Sequence, residues 1–427
     1  MDNNVLRNFT IPCIFFISII VCSRQESLQF SYHEIKGPDG APIWTTSEQV
    51  HRFTDPADLN NDGYIDLLAF THQALEWFEY PEWTKYAIQL GGNWEVGRLH
   101  AVDLDADGDL DLVTAKRLED NSRSVVWFEN PLPDGDVHKG AAWIEHLVGV
   151  IPPRESNDYV KEYNSADFDR DGKLDIVVGT FANPINTPAE LFYFFQNSAD
   201  DFTMKMVTYE WGHEGLDLGD LDQDGDVDVV VNGRWFETPA APRTGDYQEH
   251  NIDEKWYNQR DNWQRNATDV KVADINGDNR LDVIISHSEK PEYPLSWYSA
   301  ADPTDVWTEH VIDPKYGWCQ TLDAGDIDLD GDIDVLAGRF ERDGPPLVGS
   351  PQDVRIYLNN GNGSDWTQTR LPDDARSSSP DDAQGGMYDG KLADIDQDGD
   401  LDVIGARTYW HGPIYYIRND LRMGGVK

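Results

Sequence analysis

GHEGLDLGDLDQDGDVDVVVNGRWFE, residues 212–237, sets aspartates at 220, 222, 224 and 228 around a glycine at 225. Oxygen side chains at loop positions 1, 3, 5 and 9, with glycine at 6 for the turn, suit a hard cation of high coordination number such as calcium. An EF-hand would add a bidentate glutamate at position 12 and a helix on either side. Position 12 is Val231, and the run DVDVVV that leaves the loop is short and β-branched. The loop therefore joins two strands, and a calcium-sensor reading fails.

The same loop occurs seven times, with first aspartates 45 to 68 residues apart. The ligand positions are Asp58, Asn60, Asp62 and Asp66; Asp103, Asp105, Asp107 and Asp111; Asp167, Asp169, Asp171 and Asp175; Asp220, Asp222, Asp224 and Asp228; Asp274, Asn276, Asp278 and Asp282; Asp326, Asp328, Asp330 and Asp334; and Asp394, Asp396, Asp398 and Asp402. None of the other twelfth positions, Ala69, Thr114, Val178, Ile285, Ala337 and Gly405, is a glutamate. The expected cofactor is structural calcium, up to seven ions. The fifth copy, DINGDNRLD, has Asn279 in place of the glycine and is expected to be the weaker site.

Around each loop a four-strand order recurs. A strand ending in a small residue (Ala57, Val102, Ala166, Gly219, Ala273, Gly325, Ala393) enters the loop and a second leaves it; a third resembles VVWFENP and a fourth WIEHLV. Small residues suit innermost strands crowding an axis. The last copy stops after three strands, at IYYIRND, while FSYHEI at residues 30–35 fits the fourth-strand pattern. The N-terminal strand should thus complete the last blade and close the ring, leaving no free sheet edge. The fold expected is all-β, a seven-bladed β-propeller over residues 30–420. Before it come an export signal (1–22) and a tether (23–29), and after it a short tail (421–427).

On these motifs the chain resembles the FG-GAP or VCBS repeat family of calcium-loop β-propellers over about residues 28–420. Seven-bladed members of that family include polysaccharide lyases, a rhamnosidase group and aldos-2-ulose dehydratase, and others are integrin-like adhesion modules. The resemblance implies the fold and leaves the function open.

Composition narrows the choice. A formal charge of −45 argues against nucleic acid and against an anionic membrane surface, both of which call for clustered Lys and Arg. The apolar run Ile11–Val21 is too short to span a bilayer and fits a signal-peptide core. Cys22 follows it, as in a lipoprotein signal, although Val21 replaces the usual small residue. Export is expected, either as a periplasmic or outer-membrane lipoprotein or as a secreted protein. Only Cys319 would then remain as a free thiol, so no disulfide framework holds the fold.

Chemistry is expected on the face opposite the calcium loops, where longer segments enter first strands and leave second ones. His33, His146, His250 and His310 share one fourth-strand position and read as structural. His100 and His213 precede first strands. Arg117, Arg234, His287, Arg339 and Arg407 follow second strands, and Arg98 joins them from blade two. On an acidic chain these cations would focus an anionic ligand. Trp211, Trp318, Tyr163 and Tyr388 would add stacking surfaces for sugars. The reading is a lyase or dehydratase acting by β-elimination on an acidic, uronate-containing carbohydrate, with His100, His213, Tyr163 and Tyr388 as candidate acids and bases. The other residues named here would bind substrate. Resemblance to the dehydratase adds the option of a catalytic metal held by His213 and Glu214. The alternatives are a glycoside hydrolase, using carboxylates among Glu162, Glu214, Asp269 and Asp389, and a non-catalytic glycan-binding or adhesion propeller.

Overall fold

The computed structural model describes residues 28–41, 43–45, 54–71, 74–95, 98–153, 159–181, 188–210, 214–258, 267–339, 354–372, 386–406 and 412–421. The export signal and most of the tether and tail fall outside these residues, as do Trp211, His213 and Arg407. The described chain is all-β: seven antiparallel four-stranded blades in a ring, with two single 3-10 turns at Gly140–Ala142 and Glu254–Trp256. No helix among the described residues is long and apolar enough to cross a membrane.

Blade two shows the pattern. His100–Val102, Asp111–Arg117, Arg123–Glu129 and Ile144–Ile151 lie side by side in chain order. The seven first strands are Thr54–Ala57, His100–Val102, Tyr159–Ala166, Leu216–Gly219, Thr268–Ala273, Cys319–Gly325 and Asp389–Ala393. Each touches the next and the last touches the first, so together they wall the axis. Their small last residues have a steric cause. A Cβ on Gly219 would come within 2.6 Å of Leu281 and 2.8 Å of Val272, both from blade five.

In the seventh sheet the N-terminal strand Phe30–Glu34 pairs antiparallel with Gly412–Asn419, setting Phe30 opposite Asn419 and Glu34 opposite Tyr415. The first and last described strands therefore share one blade.

Side chains alternate along each strand, so the two faces of a blade serve two neighbours. In blade one Leu68 packs toward blade two, while Leu67 and Ala69 pack toward blade seven. Seven apolar clusters result, one at each blade–blade interface. Into each of them the second residue of a calcium-type loop inserts: Leu59, Leu104, Phe168, Leu221, Ile275, Ile327 or Ile395.

The periodic histidines belong to this framework. His146, His250 and His310 stack on Trp127, Trp235 and Trp297 of the neighbouring third strands, with ring centroids 4.4, 4.3 and 4.0 Å apart. His33 stacks on Tyr416 in the same way.

Candidate functional site

All seven loops share one backbone. The fourth and sixth residues are left-handed in each, and the N–H of the sixth donates to the first aspartate at 2.8 to 3.2 Å. Asn279 takes the left-handed conformation in the fifth loop, which asparagine tolerates better than most residues. The ninth-position aspartate is buried in every loop. Asp228 accepts from Leu221 N at 3.0 Å with one oxygen and from Thr238 N at 2.9 Å with the other, tying the loop to the end of the third strand. Asp111, Asp175, Asp334, Asp402 and Asp66 make the same pair of bonds. Burial lifts these carboxyls to about 7 or 8.

The donor set fits a hard divalent cation. In five loops three aspartates each bring an oxygen within 4.8 Å of the others, as with Asp103, Asp105 and Asp111. Oδ1 atoms of Asp220, Asp328, Asp394 and Asp396 are buried with no hydrogen-bond partner among the described residues. The loops beginning at Asp58 and Asp274 have asparagine at position 3 and are not among the five.

Three residues before each loop stands one polar residue of each innermost strand: Asp55, His100, Asn164, Asp217, Lys271, Asp323 and Lys391. Most of them reach across to the next blade. Asp55 accepts from Ala101 N at 3.2 Å, Asp217 from Val272 N at 2.8 Å and Asp323 from Leu392 N at 2.9 Å. His100 Nε2 lies 2.8 Å from Ser165 Oγ, and Lys271 pairs with Asp323 at 3.0 Å. All of these residues except Asp323 wall an axial cavity of about 160 Å³, together with Arg98, Glu162 and Tyr163. A second cavity of about 10 Å³, room for one water, shares Arg98 and Glu162 and is faced by Lys161, Glu214, Asp269 and Tyr388.

Charges in the two cavities are largely paired. Arg98 sits 3.4 Å from Glu162 and 3.2 Å from Asp269, and Lys161 lies 2.6 Å from Glu214. Burial, helped by the charge of Lys391, pushes His100 down to about 4, so its imidazole is neutral at pH 7. Burial raises Asp55 to about 6, and Lys391 opposes the rise. Burial and the nearby Glu95 hold the Tyr163 phenol well above its usual range, and its hydroxyl has no hydrogen-bond partner among the described residues.

Of the residues named from sequence, Arg98, His100, Tyr163, Tyr388 and the carboxylates Glu162, Glu214 and Asp269 meet at these cavities. Among the other described ones, Arg117, Arg234, His287, Arg339 and Trp318 line neither. Arg234 lies on a third strand, its guanidinium 3.6 Å from the Tyr257 ring and 2.8 Å from Glu249. Arg117 donates to Asn121 at 2.9 Å. Arg339 donates to the Lys315 carbonyl and lies over Tyr316. His287 is fully buried against Tyr293 and accepts from the N–H groups of Glu289 and Lys290. Trp318 sits in a left-handed turn before the first strand of blade six. Among the described residues the single cationic mouth expected from sequence is thus not assembled: Arg117, Arg339 and His287, at the ends of second strands, engage a side-chain amide, a backbone carbonyl and neighbouring aromatic rings. The Glu214 carboxylate, offered as a metal ligand, is held by Lys161 and by Ser288 Oγ at 3.3 Å. Sequence reading passed over Asp55, Lys161, Asp217, Lys271 and Lys391; a fixed offset of three before each loop would have found four of these five.

The model of a family described as FG-GAP-like repeat matches residues 58–114 and 163–231, two spans that hold the first four loops. The chain carries FG-GAP-like repeats. It is similar to Cartilage acidic protein 1 of Xenopus tropicalis, at 28% identity over 162 residues, which is 36% of this chain and 24% of that protein. The match spans only about a quarter of that relative's length. Among solved structures, the propeller resembles the exotype rhamnogalacturonan lyase YesX (13% identity, 92% of this chain and 76% of that chain, TM-score 0.50). It also resembles BBS1N in complex with ARL6DN (10% identity, 90% of this chain and 96% of that chain, TM-score 0.51). At such identities the likeness is one of fold.

Proposed function

We propose that the protein is an exported carbohydrate-active propeller that performs β-elimination on a uronate-containing sugar in its axial cavity. The observation that carries this reading is that one cavity is faced by a neutral imidazole, a protonated phenol and several cations: His100, Tyr163, Arg98, Lys271 and Lys391. Elimination needs those three functions. His100 takes the proton on the carbon next to the sugar carboxylate. That electron pair forms a carbon–carbon double bond, the adjacent carbon–oxygen bond breaks, and the departing oxygen receives the Tyr163 proton. If Nε2–H of His100 is donated to Ser165, the basic lone pair resides on Nδ1. The cations stabilise the enolate-like charge in between. A rhamnogalacturonan lyase of similar fold is compatible with this chemistry. Calcium in the seven loops would hold the blades and take no part in the reaction.

A hydrolase reading has less support. Glu162, Glu214 and Asp269 face the smaller cavity, but Arg98 and Lys161 already hold them. Incubation with uronate oligosaccharides should yield an unsaturated product, seen by ultraviolet absorbance and mass spectrometry. His100→Ala should lower the rate by about 10²-fold or more. Binding without turnover would leave a glycan-binding propeller, and a saturated product would mean hydrolysis.

A further inference from the structure

Lys391 is the cavity's available anion anchor. Arg98 is shared by Glu162 and Asp269, Lys271 is paired with Asp323, and Lys161 with Glu214. Lys391 projects from the innermost strand of blade seven into the 160 Å³ cavity, yet no carboxylate among the described residues lies within salt-bridge distance of its ammonium. The acids flanking it in the ring are committed elsewhere: Asp323 to Lys271 and Leu392 N, and Asp55 to Ala101 N. The charge of Lys391 acts on Asp55 and Asp323 from a distance, but neither carboxylate lies within salt-bridge distance, so an incoming anion can still form a direct ion pair with an ammonium already partly withdrawn from water.

Resting on the proposed sugar chemistry, we infer that Lys391 is a carboxylate-binding residue that selects the acidic sugar over its neutral counterpart and places its carboxylate beside His100. A monoanion fits better than a dianion, because Asp55, Asp217 and Glu162 share the same wall and repel surplus negative charge. Lys391 also couples binding to chemistry. In the free protein its charge opposes protonation of His100. A carboxylate seated on Lys391 cancels that field and adds one of opposite sign, favouring the imidazolium that forms as the sugar proton is taken.

The test is a titration of wild-type protein, Lys391→Met and Lys391→Arg with D-galacturonate and D-galactose, by calorimetry. The wild type should bind galacturonate at least about tenfold more tightly than galactose. K391M should bring galacturonate down to the galactose level without changing galactose binding, and K391R should restore most of the preference. K391M breaks no contact ion pair and removes only the longer-range field on Asp55 and Asp323, so its melting temperature should fall by no more than a few degrees. Should it fail to fold, NMR of ε-13C-lysine in the wild type gives the same answer, one lysine signal, assigned through K391R, moving with galacturonate and not with galactose. A preference that survives in K391M, or a lysine signal that stays still while the acid binds, overturns the role of Lys391 and leaves the sugar reading intact. Equal binding of the two sugars by wild type overturns the anion anchor alone. No binding of either sugar overturns both.

Discussion

The ring of His33 lies stacked on that of Tyr416, centroids 4.7 Å apart and planes within 11°. The first described strand and the last are thereby joined by the same ring contact that His146, His250 and His310 make within blades two, four and five. Tyr32 against Tyr415 adds a second aromatic pair, 5.0 Å between centroids. Removing residues up to Glu34 would strip this strand, uncover the apolar cluster between blades six and seven and open the edge of Gly412–Asn419. An exposed strand edge invites pairing with another chain. The truncated protein should melt at a lower temperature and self-associate, as read by circular dichroism and size-exclusion chromatography; an unchanged melt would mean that the N-terminal strand does not hold the ring.

A second device joins the blades through the end of the third strand. Asn359 donates its side-chain amide to the Ile275 carbonyl of the preceding blade at 2.7 Å, and its oxygen accepts from Gly363 N at 2.8 Å. Asn130, Gln196 and Asn419 reach back in the same way to Leu59, Leu104 and Ile327. In blade four Thr238 bonds only within its own loop, to the Val227 carbonyl. Truncating Asn359 leaves several buried backbone groups unsatisfied, at about 1–3 kcal/mol each. Asn359→Ala should therefore lower the urea midpoint clearly more than Thr238→Ala.

The fold was legible because seven loops repeat one pattern of aspartates and each is followed by strands of the same type. A signal repeated seven times outweighs the ambiguity of any single copy. The candidate site was legible only in part. Arg98, His100, Tyr163 and Tyr388 stand at or just before first strands and were found, whereas Asp55, Asp217, Lys271 and Lys391, at the same offset of three before the loop as His100, were not. Counting forward from the loop misled, because strand length varies. In blade four the second strand ends at Val231 and Asn232–Gly233 turns the chain, which puts Arg234 on the third strand, away from the axis. At the ends of the other second strands, Arg117, Arg339 and His287 satisfy local partners that sequence spacing cannot reveal. The ion pairs that occupy Arg98, Lys161 and Lys271 join residues of different blades and are visible only once the ring is closed.

Calcium removal is the direct probe of the loops. Five of them gather three aspartate oxygens into one cluster, while those beginning at Asp58 and Asp274 carry Asn60 and Asn276 in place of a carboxylate. Fewer charged ligands mean weaker binding. Chelation should lower the melting temperature and calcium should restore it. Each site held at a hundredfold excess over its dissociation constant contributes about 2.7 kcal/mol. Calorimetric titration of the stripped protein should resolve a tight class of about five sites, and Asp222→Asn should remove one of them. Seven equal sites, or none, would contradict this reading.

His100 should leave a mark on the acid stability of the fold. Burial holds its folded pKa at about 4, below the 6.5 of an exposed imidazole. Between those values the unfolded chain binds a proton that the folded chain does not, so stability falls as pH drops from 6.5 toward 4 and levels off below. The whole effect is on the order of 3 kcal/mol. Asp55, raised to about 6 in the same cavity, acts in the opposite sense: its contribution is fully present below about 3.8 and is lost as pH rises through 6. Comparing wild type with His100→Gln by urea denaturation isolates the histidine, since Asp55 is common to both. The wild type should lose stability relative to H100Q as pH falls from 7 to 4. In K391M, where the opposing ammonium is gone, that loss should be smaller and begin at the same pH. A difference that does not vary with pH would show that His100 is not held neutral by burial.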